Sequence, residues 1–287
     1  MGFFENILQN APVQGRSIIK DLTMMNAIFD SHAHYDDPAF DPDRDTLLSS
    51  MPSLGVGHII NAGASLESSR ESLEIAARYP YVYAACGVHP EHAGALPADY
   101  LQQVEDMCRS SCKVRAVGEI GLDYHYDDMA PKETQREVFS KQIGLANRLG
   151  LPIIVHDREA HGDTMELLRR YRPAGVVHCF SGSVEMMWEV VALGMYIGLG
   201  GAVTFKNARV PVEVAKEVPL ERLLLETDAP YMSPVPFRGK RCDSSLIRYT
   251  GEKIAQLKGI STSELFRITE ANAARLFDIK LEEPILS

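Results

Sequence analysis

Ala27-Ile28-Phe29-Asp30-Ser31-His32-Ala33-His34 is a short apolar run that turns polar at its end. Its first three residues predict a buried strand. Side chains in a strand alternate faces, so Asp30, His32 and His34 are expected on one face. Two imidazoles so spaced converge on a point, which suits a divalent metal at the mouth of a sheet or barrel. A His-X-His pair is also an ordinary surface feature. The reading therefore depends on whether an apolar run with a polar end recurs along the chain.

It does recur. Strand-like runs at 27–32, 57–62, 82–88, 114–119, 152–156, 175–180, 195–199 and 222–227 alternate with amphipathic stretches. Each is short and rich in Val, Ile, Ala or Leu, as strands buried on both faces are. Between 132 and 149, Phe139, Ile143, Ala146 and Leu149 form one apolar stripe, and Gly150 follows as a stop. The 65–79 stretch places Leu66, Leu73, Ala76 and Ala77 on one side, and Ser261 with Glu264 reads as a capping box. Eight strands alternating with helices, with no break in composition, predict an α/β fold: a single (β/α)8 TIM barrel, with an open doubly wound sheet as the rival. The barrel is expected over 25–287. Residues 1–24 read as a leader or extension. They are either an appended start with Met25 as the natural initiator, or leading helices over 2–10 and 16–23 that cover the barrel's bottom.

The chain has 287 residues, 45% hydrophobic and 24% charged, enough for a large core in one domain. A net charge of -10 argues against nonspecific coating of nucleic acid or membrane. It leaves room for an enzyme whose metals and local basic patch supply the positive charge. Five cysteines without C-x-x-C spacing predict reduced thiols and a cytoplasmic protein. No apolar run is long enough to span a bilayer, and the first twenty residues lack a signal-peptide core.

In such a barrel the active site lies where the strands end at the C-terminal face. Those ends carry His32 and His34, His89, Glu119, His156, His178, and Glu226 with Asp228. Any one of them could be a hydrogen-bonded core residue or a helix cap. Burying several together is costly unless a cation neutralises them. Histidines with carboxylates and no paired thiolates suit Zn, Mn, Co or Fe, with Mg admissible. Four histidines (His32, His34, His156, His178) and two carboxylates (Glu119, Asp228) exceed the needs of one tetrahedral ion, so two ions sharing a carboxylate are expected. Cys179, beside His178, is expected to point away.

The ordered set of motifs resembles the TatD-type metal-dependent deoxyribonucleases of the amidohydrolase-like superfamily. It comprises Asp30-Ser-His32-Ala-His34, Gly87-Val-His89-Pro90, Gly118-Glu119-Ile-Gly121-Leu-Asp123-Tyr124, Pro152…His156-Asp-Arg158-Glu-Ala160, His178-Cys-Phe180-Ser181-Gly182, Thr204-Phe205-Lys206-Asn207-Ala208, Glu226-Thr-Asp228-Ala-Pro230-Tyr231, Arg238-Gly-Lys-Arg241 and Asn272-Ala, and runs from about residue 28 to about 277. The resemblance implies a TIM barrel and a hydrolase that cleaves nucleic-acid phosphodiesters with two divalent ions (Mg, Mn or Zn). It implies that His32 and His34 hold one ion, completed by Asp228, and that His156 and His178 hold the other, with Glu119 bridging. It further implies Asp228 as the base that takes a proton from the attacking water, and His89 beside the substrate phosphate. Asp30 is expected to orient His32 or His34, and Glu226 to act in support. Where the family usually continues Asn, an acidic or small residue, then Pro after the Arg241 position, this chain has Cys242-Asp243-Ser244, which puts the shape of that loop in question.

Lys206, Arg238, Lys240 and Arg241 are expected to hold backbone phosphates. Tyr124, Tyr126, Phe180, Phe205, Tyr231 and Phe237 are candidates to stack on bases, with only one or two, Tyr231 among them, expected to do so. The acidic balance fits 3′-end trimming of single-stranded DNA by a monomer better than duplex wrapping. The competing reading keeps the binuclear site and changes the substrate to a small molecule, as in amidohydrolase-like relatives. Glu119 in place of their bridging carbamylated lysine argues for phosphodiesters.

Overall fold

Residues 28–281 are described by a computed structural model; the expectations for 1–24 lie outside them. Eight parallel strands pair in chain order: β1 (Ile28–Ala33), β2 (Val56–Ala62), β3 (Val82–Cys86), β4 (Val114–Asp123), β5 (Ile153–Arg158), β6 (Gly175–Val177), β7 (Tyr196–Leu199) and β8 (Leu223–Leu225). The barrel closes through the chain just past β8. Ala33 bridges Ala229, the His34 N–H donates to the Ala229 carbonyl (2.7 Å), and the Asp228 N–H donates to the His32 carbonyl (3.0 Å). The predicted TIM barrel is the observed fold.

Around the strands run α1 (Arg44–Ser50), α2 (Leu66–Arg78), α3 (Tyr100–Ser110), α4 (Lys132–Leu149), α5 (His161–Tyr171), α6 (Val184–Ala192), α7 (Arg209–Glu217), α8 (Ile247–Lys258) and α9 (Thr262–Leu276). Helix α4 buries Phe139, Ile143 and Ala146 as its spacing predicts, and ends on Gly150 in the left-handed conformation at φ +67°. The reciprocal capping box sits on α2, between Ser65 and Ser68; at α9 the Ser261 side chain accepts the Glu264 N–H. On α2 the buried side is Ser69, Ser72, Ile75 and Ala76, while Ala77 is exposed. Two serines lie inward because they have partners there: Ser72 takes the Asn61 amide (2.7 Å) and Ser69 bonds both Gly87 backbone groups (3.2 Å each).

Two cores result. One fills the barrel with residues such as Phe29, Ile60, Ala85, Ile154 and Leu224, and is plugged at the bottom by Phe277 of α9. The larger one lies between strands and helices.

Of the register shifts in the sheet, two shape the site. From Asp30 to Ala33, β1 advances three residues while β2 advances two, from Ile59 to Asn61. From Val117 to Ile120, β4 gains the same extra residue over β5. Each is a bulge, a device that re-aims side chains beside active sites. The first leaves Asp30 pointing out of the barrel, not along with His32 and His34 as expected. The second extends β4 to Asp123 and brings Glu119 onto the face it shares with Gly121 and Asp123. Strands β6 and β8 are shorter than predicted, ending before His178 and Glu226; Cys179 (φ +42°) and Asp228 (φ +60°) follow them in the left-handed region.

Gly121 must be glycine. It sits at φ +155°, and a Cβ there would lie 1.9 Å from the His156 carbonyl oxygen. Gly121→Ala is expected to destabilise the fold by about 3 kcal/mol or more, read from chemical denaturation. A variant within about 0.5 kcal/mol of the parent would contradict this close β4–β5 approach.

Candidate metal centre

The strand ends bring six of the expected residues together around Glu119, which is almost wholly buried. One of its oxygens, Oε2, lies 3.5 Å from His32 Nε2 and 3.4 Å from His34 Nε2. The same two nitrogens lie 3.6 and 3.5 Å from Asp228 Oδ1. The other oxygen, Oε1, faces His178 Nε2 at 2.7 Å, His156 Nδ1 at 3.0 Å and His89 Nε2 at 3.8 Å. One carboxylate thus stands between two groups of nitrogens. The His178 ring also stacks on that of His32 at 3.9 Å and approaches Asp228, so it adjoins both groups.

The hydrogen bonds around the cluster determine which nitrogens face inward with a lone pair. His34 donates Nδ1–H to the Ala62 carbonyl (2.8 Å), leaving Nε2 as the free acceptor in the neutral ring. His156 places Nε2 on Asp123 Oδ2 (3.0 Å), so its Nδ1 turns to the centre. His89 accepts the Glu91 N–H at Nδ1 (3.2 Å), so its Nε2 carries the proton. The His32 and His34 Nε2 atoms stand only 3.0 Å apart. His32 Nδ1 and both His178 nitrogens are buried without a hydrogen-bond partner, the latter despite the short approach to Glu119. Converging lone pairs, orphaned imidazole nitrogens and a central carboxylate are what a divalent ion requires, and three groups of donor atoms each lie within 4.8 Å. The residues fit a metal.

The electrostatics agree. Burial opposes charge on Glu119, yet His178 and the His156 hydrogen bond hold its carboxyl well below the usual range. Burial also opposes charge on His34 and His156. The Asp228 and Glu119 carboxylates outweigh it for His34, raising it to about 10, and Asp123 and Glu119 raise His156 to about 9. The cluster draws positive charge to itself. Burial takes His32 down to about 4 and His89 down to about 3, so both are neutral.

Asp30 reaches His32 through the main chain and not through its ring. Asp30 touches neither imidazole ring. It accepts the His32 N–H (3.3 Å), the Thr227 N–H and hydroxyl (3.0 and 2.6 Å) and the Ser244 hydroxyl (2.6 Å), pinning β1 to the loops after β8. Ser244 belongs to the departing Cys242-Asp243-Ser244 segment. Asp243 caps the turn that follows it, and the loop is packed against the barrel. Glu226 accepts the Cys179 N–H and stands 4.0 Å from His178 Nδ1; burial pushes its carboxyl up to about 8. Cys179 remains a neutral thiol, since burial and the Asp228, Glu226 and Glu119 carboxylates push it well above the ordinary value.

Sequence reasoning assigned no role to Asp123, the carboxylate that orients His156. Its period-two spacing from Glu119 was the available signal. Burial opposes its charge, but His156, the His125 N–H and Arg158 hold it below the usual range.

Beside the centre, Tyr231 and Phe205 line a groove of about 600 Å³ with Asp37, Arg238 and Lys240. The Tyr231 ring lies 6.5 Å from His34, and its hydroxyl donates to Asp37 (2.6 Å). Arg238 stacks on Phe205 at 4.2 Å and, like the exposed Lys206, has no carboxylate partner among the described residues. Arg241 does not stand free: both its Nη atoms grip Asp43 (2.8 and 2.7 Å) and one bonds the Ala39 carbonyl. It clasps the loop after β1, so its guanidinium is already occupied. Of the six aromatic candidates, Tyr126 and Tyr231 are exposed, while Phe180 is core.

Comparison with known proteins agrees with the motif reading. The family model described as TatD related DNase matches residues 29–278. The chain is 40% identical over 255 residues to an uncharacterized metal-dependent hydrolase, YabD, of Bacillus subtilis, covering 88% of this chain and 99% of that protein. It is 32% identical over 259 residues to the 3′-5′ ssDNA/RNA exonuclease TatD of Pectobacterium parmentieri, covering 87% and 99% respectively. Among solved structures, the TatD homologue YjjV of Escherichia coli superposes with a TM-score of 0.83 at 34% identity, covering 88% of this chain and 98% of that one.

Proposed function

The chain belongs to the TatD related DNase family and is a metal-dependent hydrolase, and on that premise we propose that it cleaves nucleic-acid phosphodiesters, trimming single strands from the 3′ end. The observation that carries the proposal is Glu119 standing between two groups of inward-facing imidazoles. Two ions are the stoichiometry that arrangement supports. His32, His34 and Asp228 would hold one, His156 and His178 the other, with Glu119 shared. Divalent cations held there supply Lewis acidity and acidify water.

The residues divide the remaining work. Asp228 takes the proton of the attacking water. Its charge is opposed by burial, but the His34 hydrogen bond and His178 hold its carboxyl below the usual range, so it is an ionised base at neutral pH. His89 is neutral with its proton on Nε2, which makes it a hydrogen-bond donor to the phosphate rather than an acid. Water attacks phosphorus, the bond to the leaving oxygen breaks, that oxygen takes a proton from solvent while Asp228 gives up the one it took, and a hydroxyl end and a phosphate end result. Tyr231, Arg238 and Lys206 flank the groove that receives the strand. The single-strand preference is supported by a groove with few free cations in a chain of net charge -10, and by the exonuclease named among its relatives.

The test is metal-depleted protein incubated with labelled single- and double-stranded DNA and RNA, with Mg, Mn or Zn added back. Shortening of single strands from the 3′ end, restored only by metal, is expected. Intact substrates under every condition would defeat the nuclease reading.

A further inference from the structure

Across the mouth from the groove, the ends of β4 and β5 lie side by side. Asp123 pairs with Arg158, and the Tyr124 N–H donates to the Arg158 carbonyl (2.9 Å). Arg158 is two residues past His156 on the same strand, so it shares the inner face with that imidazole. Its guanidinium lies 4.9 Å over the Tyr126 ring and donates once to the Tyr126 hydroxyl (3.2 Å), leaving most of its N–H donors free. No carboxylate among the described residues forms a salt bridge with it; Asp123, its strand partner, feels its charge only from beyond ion-pair distance. Its neighbour Glu159 is bound instead by His125 (2.6 Å). The loop carrying Tyr126 is fixed to the metal centre, because Asp123 accepts the His125 N–H (2.9 Å) while its other oxygen holds His156. An unpaired, ring-supported arginine so close to the centre mirrors the Phe205–Arg238 stack on the opposite wall.

The surroundings of the two walls differ in sign. Past Arg238 the chain continues through the exposed Lys240, with Arg241 beyond it already neutralised by Asp43. Past Tyr126 it continues through the exposed Asp127 and Asp128, with exposed Glu159 adjacent. A polyanion can extend along the first wall. On the second, any phosphate beyond the one at Arg158 meets carboxylates. We infer that Arg158 and Tyr126 form a second nucleotide subsite, which holds the single nucleotide released at each cut while the strand lies on the Phe205–Arg238 side. This rests on the single-strand nuclease reading above.

The test compares metal-loaded wild type, Arg158→Ala and Arg238→Ala on a thymidine dinucleotide and a decanucleotide, with calorimetric titration of thymidine monophosphate. Arg158→Ala is expected to raise KM about tenfold equally on both lengths, to change kcat less than about twofold, and to weaken monophosphate binding about tenfold. Arg158→Lys keeps the charge without the planar fork and should recover part of each loss. The Arg238→Ala penalty should grow with strand length. Tyr126→Ala, a change in an exposed loop, reads the same quantities should Arg158→Ala fail to fold. Unchanged KM and monophosphate affinity in the β4–β5 variants would overturn the subsite, and so would an Arg158 penalty that grows with length. A wild type that cuts neither oligonucleotide fails the nuclease reading itself, and the subsite falls with it.

Discussion

Replacing Asp228 by Asn is expected to lower kcat about a thousandfold while the protein still folds and binds metal. The substitution is close to isosteric, and Asn tolerates the left-handed conformation that Asp228 occupies at φ +60°. The main chain there is held on both sides, by the N–H to the His32 carbonyl and by the Tyr231 N–H on its own carbonyl (2.8 Å). An amide oxygen can still face His32 and His34. It cannot accept a proton from water. Metal content is the distinguishing readout: the variant should hold the wild-type complement of divalent ion while its turnover is lost. Turnover near the wild-type level with metal bound would remove Asp228 from the role of base.

The alternation of apolar runs with amphipathic stretches was sufficient to read the barrel, because strand period and burial on both faces leave a direct mark on composition. The clustering of the candidate ligands was legible for the same reason, since strand ends are short in sequence and fixed in space. What was not legible depended on register. One extra residue in β1 after Asp30 took His32 off the face that Asp30 occupies, and one in β4 turned Glu119 inward. A bulge has no compositional signature, so the face of a side chain beyond it cannot be counted from the strand's start. Long-range pairing was hidden too. Arg241 resembles a phosphate ligand until Asp43, almost two hundred residues earlier, is seen in its fork. Arg158 shows the converse: Glu159 beside it in sequence suggests a neutralised pair, yet that carboxylate goes to His125.

Glu119→Gln should be as damaging as Asp228→Asn but by a different route, lowering activity by about three orders of magnitude through loss of metal. It removes a buried charge on which both groups of histidines depend, and breaking a buried charge pair costs about 3–5 kcal/mol. The loss can be measured without any substrate. At neutral pH His34, raised to about 10, and His156, raised to about 9, carry protons in the metal-free protein. A divalent ion needs those lone pairs, so loading should release protons, and affinity should rise with pH below those values. These histidines contribute stability to the metal-free fold that is full below their ordinary value of 6.5 and lost as pH climbs through 9 and 10. Glu119 contributes in the opposite sense, its share being lost only as pH falls below the ordinary carboxylate range. In Glu119→Gln both imidazoles lose a carboxylate that raises them, so proton release on loading should shrink and bound metal per chain should drop. A variant that binds the wild-type complement of metal with the same proton release would show that Glu119 does not join the two groups, and the paired-ion arrangement would have to be abandoned.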